Sequence, residues 1–168
     1  MPDDVLLIEV ADRVATITLN RPQARNALNA DLRRSIPKAV LELDEDPDVD
    51  VVVITGSDPA FCAGLDLKEI ASGKHNLSGS GSDAVNRPLP RIGKPIIGAI
   101  NGVAVTGGFE LALNCDFLVA SERARFADTH ARVGVQPGWG LTVLLPQAMG
   151  SSPLISMPSL EISWNHRQ

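Results

Sequence analysis

Two apolar strands that each lead into a glycine-containing turn and a helix constrain the fold more than any other feature of this sequence. DVDVVVITG (48–56) precedes SDPAFCAG and a helical LDLKEIAS, while KPIIGAIN (94–101) precedes VTGG and a helix over 107–114. Nearly continuous apolar strands are typical of sheets covered on both faces. The alternation of strand, turn and helix therefore predicts an α/β fold with mostly parallel strands.

The N-terminal part of the chain predicts a hairpin followed by a helix. VLLIEV (5–10) and VATITL (14–19) are short β-branched runs separated by ADR. In the second run, Ala15, Ile17 and Leu19 share one face of the strand and the two threonines share the other. After the loop 20–29, Asn29 is positioned to cap a helix, and Pro37 is expected to kink or restart that helix.

The second half of the chain continues the same alternation and then departs from it. We expect a mobile polar loop over 75–88, strands at 116–121 and 124–126, and a helix over 141–150. Residues 151–168 carry repeated Pro and Ser without a sustained period, so no stable helix of any length is expected there. We therefore predict a core over residues 1–150 and an atypical tail over 151–168, either disordered or a truncated or frame-shifted end.

Composition excludes several functional classes. A chain of 168 residues is long enough for one domain with a core, and its net charge of -5 argues against a general nucleic-acid binder. Cys62 and Cys115 lack metal-ligand spacing and are too few for a disulfide framework, so no metal is expected. No signal peptide or transmembrane run is evident, which predicts a reducing, cytoplasmic location and no membrane partner.

The segment NGVAVTGGFELAL (101–113) carries the main chemical signal. Gly107 and Gly108 expose backbone N–H groups at a helix start, and Glu110 follows about one turn later. A glutamate would repel an anion, so the pattern indicates a neutral group that gains negative charge during a reaction. The alternatives are that the glycines only allow close helix packing and that Glu110 only stabilises the helix dipole.

Four motifs occur in order within a match that runs from about residue 5 to about residue 150. NRPQARNALN, AFCAGLDLKEI, KPIIGAINGVAVTGGFELALNCDFLVAS and ARFADTHARVGVQPGWG together resemble the crotonase superfamily, the enoyl-CoA hydratase/isomerase family. The resemblance implies a ββα spiral core with mostly parallel strands. It also implies an acyl-CoA thioester as ligand and no separate cofactor, since coenzyme A is part of the substrate.

The resemblance also implies catalytic positions. The backbone amides of Ala63 and Gly107 would form an oxyanion hole for the thioester carbonyl, and Glu110 would be one of the two hydratase glutamates. The second glutamate belongs twenty residues beyond Glu110, where this sequence has His130. His130 either shuttles protons or is a partly buried structural histidine. Asp128 is a nearby carboxylate, but its offset does not match the family position.

Coenzyme A contacts are implied for the first two motifs. Arg25 would pair with a CoA phosphate, although a solvated surface arginine is the alternative. The backbone edge that would read the adenine and the pantetheine arm consists of Ala27, Ala63, Gly64, Leu65, Asp66 and Leu67. Asp66 could instead only cap the following helix. Trp139 is either a wall of the acyl pocket or a core residue, and Cys62 is interpreted as small packing.

The sequence thus supports hydration of a 2,3-enoyl-CoA, with Glu110 activating water and His130 assisting. The alternatives are another acyl-CoA reaction on the same scaffold, or a non-catalytic acyl-CoA-binding or inactive truncated form. Family members continue into a helical C-terminal part that covers the acyl pocket and supports trimers. Its lack here is expected to weaken a homotrimer or hexamer and to leave an exposed apolar patch.

Overall fold

The computed structural model describes residues 4–72 and 87–149 and the backbone of 161–162. The strands are β1 (Leu6–Ala11), β2 (Val14–Leu19), β3 (Val51–Gly56), β4 (Ala60–Cys62), β5 (Ile96–Ile100), β6 (Val103–Val105), β7 (Phe117–Ala120), β8 (Arg125–Ala127) and β9 (Glu161–Ile162). The helices are α1 (Ala30–Glu45), α2 (Leu67–Ala71), α3 (Gly107–Leu113) and α4 (Leu141–Met149), with 3₁₀ turns at Pro22–Ala24 and Ala131–Val133.

The strands form two sheets, and the chain alternates between them. The first sheet has the order β1-β2-β3-β5-β7, and only its β1–β2 pair is antiparallel. The second sheet has the order β4-β6-β8-β9, with parallel pairs except β8–β9. The chain passes from a strand of the first sheet to one of the second and then into a helix, as in β3-β4-α2 and β5-β6-α3. The expected α/β fold with mostly parallel strands is confirmed.

The hairpin and its buried face are also as predicted. β1 and β2 pair from Leu6↔Leu19 to Ala11↔Val14. The inward side chains of β2 are completely buried, and these are Ala15, Ile17 and Leu19. The alternation of apolar and polar residues therefore decides which face of this strand joins the core.

Helix α1 begins where the sequence indicated. The Asn29 side chain accepts a hydrogen bond from the Leu32 N–H at 3.0 Å, which caps the first turn. Pro37 lies inside α1, yet the helix continues as one element through Glu45 instead of restarting. Buried side chains on both sides of Pro37 hold the helix against the core, among them Ile36 and Val40. Tertiary packing thus outweighs the hydrogen bond that a proline removes.

Short elements differ most from the sequence-based expectation. The segment predicted as a loop after β3 contains the three-residue β4, and VAV before the glycine pair forms β6. Strand β9 lies in the tail and pairs Phe126 with Ile162 and Ala127 with Glu161. The rest of the tail, and residues 75–86 of the predicted mobile loop, lie outside the described residues.

The outer strand of the first sheet is apolar and exposed. Phe117 and Val119 of β7 are each 64% exposed and Leu118 is 42% exposed. β7 pairs only with β5 among the described strands, so its other edge has no strand partner there. No helix within residues 4–72 and 87–149 combines the length and the apolar character needed to cross a membrane.

Candidate active site

Two turns that follow neighbouring parallel strands meet at the site. β4 and β6 are paired, so the residues after their C-terminal ends lie side by side. Gly64 has φ +86°, and a Cβ there would lie 1.6 Å from Thr106 Oγ1, so only glycine fits. A Cβ on Gly107 would lie 3.8 Å from Gly64 Cα. The two amide-bearing turns are therefore in direct contact.

The amide of Ala63 is already used within the protein. Its N–H donates to the Arg25 carbonyl at 3.0 Å, which ties the second motif to the first. An oxyanion-hole donor must instead point its N–H at the ligand. This bond contradicts Ala63 as the second donor.

The neighbouring amide of Leu65 has the required freedom. Gly64 and Asp66 bond to Leu28, through Leu28 N–H to Gly64 O at 2.7 Å and Asp66 N–H to Leu28 O at 3.2 Å. Because backbone groups alternate in direction along an extended segment, the N–H of Leu65 faces away from Leu28. Within the described chain, neither this N–H nor that of Gly107 has a hydrogen-bond acceptor. Gly107 opens α3, where the first N–H groups lack partners within the helix.

The two glycines of the pair have different roles. A Cβ on Gly108 would lie 2.1 Å from the Cys62 carbonyl oxygen, so α3 packs on β4 at a distance that only glycine permits. A Cβ on Gly107 would meet Trp139 and Leu28 side chains at 3.4 and 3.5 Å, which is ordinary contact. Close packing therefore explains the glycine at 108 and does not explain Gly107, whose N–H has no acceptor among the described residues.

Glu110 is buried and firmly held. Its residue is 2% exposed, and its Oε1 accepts the N–H groups of Trp139 at 2.7 Å and of Leu141 at 3.2 Å. These donors belong to the PGWG segment and the start of α4, so the carboxylate is bound by another part of the chain. Its second oxygen, Oε2, lies 3.4 Å from His130 Nε2. A carboxylate that only stabilised the helix dipole would not need this environment.

His130 lies between two carboxylates. Its residue is 3% exposed, and its Nδ1 lies 2.7 Å from Asp128 Oδ1, while Nε2 faces Glu110. Burial lowers the pKa of His130, but the hydrogen bonds and charges of Glu110 and Asp128 outweigh burial, and the net pKa is raised. The structure thus joins Glu110 with His130, as the sequence indicated, and adds Asp128. An Asp two residues before a His is a local signal, because Asp commonly accepts the N–H two residues on.

Arg21, to which the sequence did not point, connects the first two motifs. Arg21 donates to Asp66 Oδ2 at 3.0 Å and to the Ala27 carbonyl. Asp66 Oδ1 accepts the N–H groups of Lys68 at 3.1 Å and Glu69 at 3.3 Å, so it caps α2. Burial opposes ionisation of Asp66, yet the hydrogen bond from Arg21 and the cap lower its pKa overall. Asp66 thus caps α2, and its contact with coenzyme A stays a prediction.

A buried asparagine, also missed from the sequence, organises the same loop. Asn26 is completely buried, and its Nδ2 donates to the carbonyls of Ser57 and Ala60 at 2.8 Å each. Its Oδ1 accepts the Arg21 N–H at 2.9 Å. These bonds fix the left-handed residues Arg25 and Asn26 (φ +50° and +56°) beside the second motif.

The remaining positions implied for coenzyme A lie along this loop edge. The Arg25 side chain is exposed and pairs with no described residue, so it is available to an external anion. Ala27 and Leu65 are half-buried, and Leu67 is 50% exposed. Their contact with coenzyme A stays a prediction, because the structure contains no ligand.

Cys62 and Trp139 complete the surroundings. Burial raises the pKa of Cys62 to about 12, which supports its role as small packing instead of a nucleophile. Trp139 is half-buried, packs against the core and lies next to Gly107, so it is both a core contact and a neighbour of the site. Over residues 4–72 and 87–149, no cluster of three His, Cys, Asp or Glu side chains could hold a metal ion.

The chain is similar to known proteins over most of its length. Residues 9–158 match the family model described as enoyl-CoA hydratase/isomerase. The chain is 46% identical over 151 residues to a probable peroxisomal enoyl-CoA hydratase 1 of Arabidopsis thaliana, covering 86% of this chain and 57% of that protein. It is 37% identical over 149 residues to a crotonyl-CoA hydratase of Syntrophomonas wolfei, again covering 86% and 57%. Relatives named as peroxisomal and mitochondrial both occur, so the cytoplasmic location stays a prediction.

Solved structures agree. An enoyl-CoA hydratase from Mycobacterium tuberculosis H37Rv superposes with a TM-score of 0.76 at 58% identity, over 86% of this chain and 60% of that one. A carnitinyl-CoA dehydratase from Mycobacterium avium 104 superposes with a TM-score of 0.75 at 40% identity, over 85% and 57%. The chain thus spans about three fifths of the length of such relatives. It belongs to the enoyl-CoA hydratase/isomerase family.

Proposed function

We propose that this chain carries the catalytic half of an enoyl-CoA hydratase, which adds water across the 2,3 double bond of an acyl-CoA thioester. The observation that carries the proposal is the buried Glu110 carboxylate beside His130, one helical turn after the unpaired Gly107 amide. Family membership supports an acyl-CoA substrate. The printed names of several relatives support hydration.

In the proposed reaction the amides of Leu65 and Gly107 bind the thioester oxygen. That oxygen is neutral in the substrate and gains negative charge as the enolate forms. Fixed N–H donors therefore favour the transition state over the substrate, and one such donor typically contributes about 2.7–4 kcal/mol. Leu65 replaces Ala63 in this role, because Ala63 already donates to Arg25. Ala63 would contribute to the site by holding the two loops together.

The proton path uses the two side chains that face each other. As the water oxygen bonds to C3, one water proton moves to Glu110 Oε2, and the enolate forms. His130 Nε2–H then gives its proton to C2, which closes the addition of one H and one OH. The 3.4 Å separation of Oε2 and Nε2 allows the proton on Glu110 to return to His130. The Oε1 atom stays bound to Trp139 and Leu141 throughout.

The second candidate function is another reaction of an acyl-CoA thioester on the same scaffold. The observation that favours it is His130, because a histidine at this position is equally compatible with a different acyl-CoA reaction. Separation of the products of crotonyl-CoA by mass spectrometry distinguishes them, because hydration adds the mass of one water and isomerisation adds none. An isomer would have the mass of crotonyl-CoA but a different retention in the separation, whereas a purely binding role would leave both mass and retention unchanged.

The test is loss of the enoyl thioester absorbance of crotonyl-CoA, measured for the chain and for Glu110→Gln. Glutamine keeps an oxygen for Trp139 and Leu141 but cannot accept a proton. We therefore expect kcat to fall by about 10²- to 10⁴-fold, the range for a positioned acid–base group. Binding of butyryl-CoA, which has no double bond to hydrate, should change little.

The matched control is Glu42→Gln. Glu42 lies on the exposed face of α1, where it pairs with Lys38 at 3.6 Å, and its replacement should leave kcat unchanged. If the folded chain binds butyryl-CoA but does not consume crotonyl-CoA, the hydratase proposal is wrong. Equal loss in both variants would also exclude Glu110 as the base.

A further inference from the structure

Asp128 makes contacts with His130 that the family resemblance does not assign. Its Oδ1 lies 2.7 Å from His130 Nδ1 and accepts the backbone N–H of His130 at 3.1 Å. The opposite ring nitrogen lies 3.4 Å from Glu110 Oε2. Asp128 follows β8 directly, so its position is fixed by the second sheet. One carboxylate thus holds both the backbone and the ring of the histidine.

We propose that Asp128 is a positioning residue whose carboxylate accepts the Nδ1–H of His130 and thereby directs the Nε2–H of His130 at Glu110. In this orientation His130 is the proton donor of the site. This inference rests on the proposed hydratase function. The ring geometry itself does not depend on the substrate. Asp128 is two residues away from the position that the family resemblance points to, which is why the sequence alone passes over it.

The charges around the ring agree with this arrangement. Glu110 on α3 and Asp128 on the segment after β8 are the charged groups that act on His130 within the described residues. The PGWG segment that also reaches Glu110 contributes backbone N–H groups and no charge at these contacts. Burial disfavours a charged ring, but the hydrogen bonds and charges of the two carboxylates outweigh that cost, so a cation between them is favoured over a neutral ring. The raised pKa of His130 has the same cause.

The chemical consequence concerns the strength of His130 as an acid. An imidazolium Nε2–H can be transferred to C2 of an enolate, leaving a neutral ring, whereas the N–H of a neutral imidazole is far too weakly acidic. A ring without Asp128 would lose the hydrogen-bond partner of Nδ1 and one of its two stabilising charges. Asp128 therefore acts through His130 and is not expected to touch the substrate. Its side chain is 28% exposed, in contrast to 4% for His130.

The experiment compares the chain with Asp128→Asn. Asparagine keeps an oxygen that can accept the backbone N–H of His130, so the turn is retained and only the charge is removed. The ring-nitrogen chemical shifts of His130 are followed by ¹⁵N NMR across pH. The chain has three histidines, and the signals that disappear in His130→Gln are those of His130. The titration midpoint should move to lower pH in Asp128→Asn. Asp48→Asn, an exposed carboxylate between α1 and β3, is the control and should leave the midpoint in place.

Activity is the second readout. If His130 must be protonated to react, activity is lost as pH rises through its pKa, so Asp128→Asn should move the alkaline limb of kcat to lower pH. At pH values above the alkaline limb of Asp128→Asn and below that of the parent chain, kcat of the variant should be lower by about tenfold or more. This is part of the 10²- to 10⁴-fold that acid–base groups contribute. Asp128→Glu, which restores the charge, should recover part of both effects. Affinity for butyryl-CoA should stay unchanged.

The two proposals fail in different ways. An unchanged NMR midpoint in Asp128→Asn, with the fold intact by circular dichroism, overturns the role of Asp128 even if the chain is an active hydratase. A midpoint that shifts as expected in a chain without hydratase activity supports the positioning of His130 and overturns only the proposed function. A shift in midpoint without a shift of the alkaline limb in an active chain excludes His130 as the donor.

Discussion

At the residue scale, the site depends on glycines that no other residue can replace without displacing backbone. Gly64 combines a positive φ with contact to Thr106, and Gly108 lies against the carbonyl of Cys62. Both contacts bring the second and third motifs together. The amide-bearing turns can therefore lie this close together only because glycine has no Cβ.

Replacement of Gly108 should destabilise the fold. The new Cβ in Gly108→Ala would lie 2.1 Å from the Cys62 carbonyl oxygen and 2.8 Å from its carbon, so α3 must move away from β4. We expect the free energy of unfolding to fall by about 1–3 kcal/mol, the usual range for overpacking. Urea denaturation followed by circular dichroism measures this change.

The control is Gly93→Ala, where the nearest atom to the new Cβ is Asp44 Oδ1 at 3.7 Å. That variant should stay within about 0.5 kcal/mol of the parent chain. Equal stability of Gly108→Ala and Gly93→Ala would show that α3 does not pack on β4 as described.

At the scale of elements, the Arg21–Asp66 pair fixes one loop to one helix. Asp66 caps α2 through Oδ1 and binds Arg21 through Oδ2, so the short α2 and the first motif are held by one side chain. A five-residue helix has little stability of its own. Its orientation, and with it the loop edge from Gly64 to Leu67, therefore depends on Asp66.

Removal of this side chain should loosen the loop edge. Asp66→Ala deletes the cap and the ion pair with Arg21, which keeps only its bond to the Ala27 carbonyl. We therefore expect a loss of about 1–2 kcal/mol in the free energy of unfolding. Asp31→Ala is the control, because Asp31 forms an exposed pair with Arg34. Weaker binding of butyryl-CoA to Asp66→Ala, measured by calorimetry, would link the cap to the ligand.

The pH dependence of that difference has a defined sign. The pKa of Asp66 is lowered in the folded protein, because its contacts with Arg21 and the α2 amides overcome the effect of burial. The stabilisation is therefore present above the ordinary carboxyl pKa and is lost as pH falls through the folded value. The difference between the parent chain and Asp66→Ala should shrink in acid. A difference that grows in acid contradicts the assigned contacts.

At the scale of the whole molecule, the exposed apolar strand β7 is the feature most prone to cause self-association. Phe117 and Val119 are each 64% exposed on a strand whose outer edge has no partner among the described strands. Exposed apolar edge strands promote pairing with another chain. We expect this chain to self-associate with rising concentration and to do so through β7.

A charged residue on β7 should reduce that association. Val119→Lys places a charge on the edge strand, while Leu41→Lys places one at a 49% exposed position on helix α1. We expect only Val119→Lys to lower the average mass measured by light scattering at high concentration. Equal effects of both substitutions would mean that net charge, and not the edge of β7, controls association.

Much of the fold was predictable because its signals are local. The apolar runs of β3 and β5, the alternation in β2 and the cap at Asn29 each lie within a few residues, and each forms the expected element. The side chains of β3 and β5 are buried on one face and only half-buried on the other, so the expected cover on both faces is incomplete. Gly107 and Glu110 are one helical turn apart, so their common location follows from helix geometry. β4 and β6 escaped prediction because each has three residues and lies in a segment whose pattern indicates a turn before a helix, although the equally short β8 was expected at 124–126.

The sequence by itself determined the alternation of strands and helices and the buried face of the hairpin. It also determined that the Gly107 amide and the Glu110 carboxylate lie one helical turn apart. Only the tertiary structure decided that Leu65 and not Ala63 has a free N–H, because the register of Leu28 against Leu65 sets which amides are paired. It also decided that the buried His130 ring lies between Glu110 and Asp128, and that Arg21 binds Asp66. The contacts of His130 with Glu110 and of Arg21 with Asp66 join segments separated in sequence, so no local pattern specifies their distances.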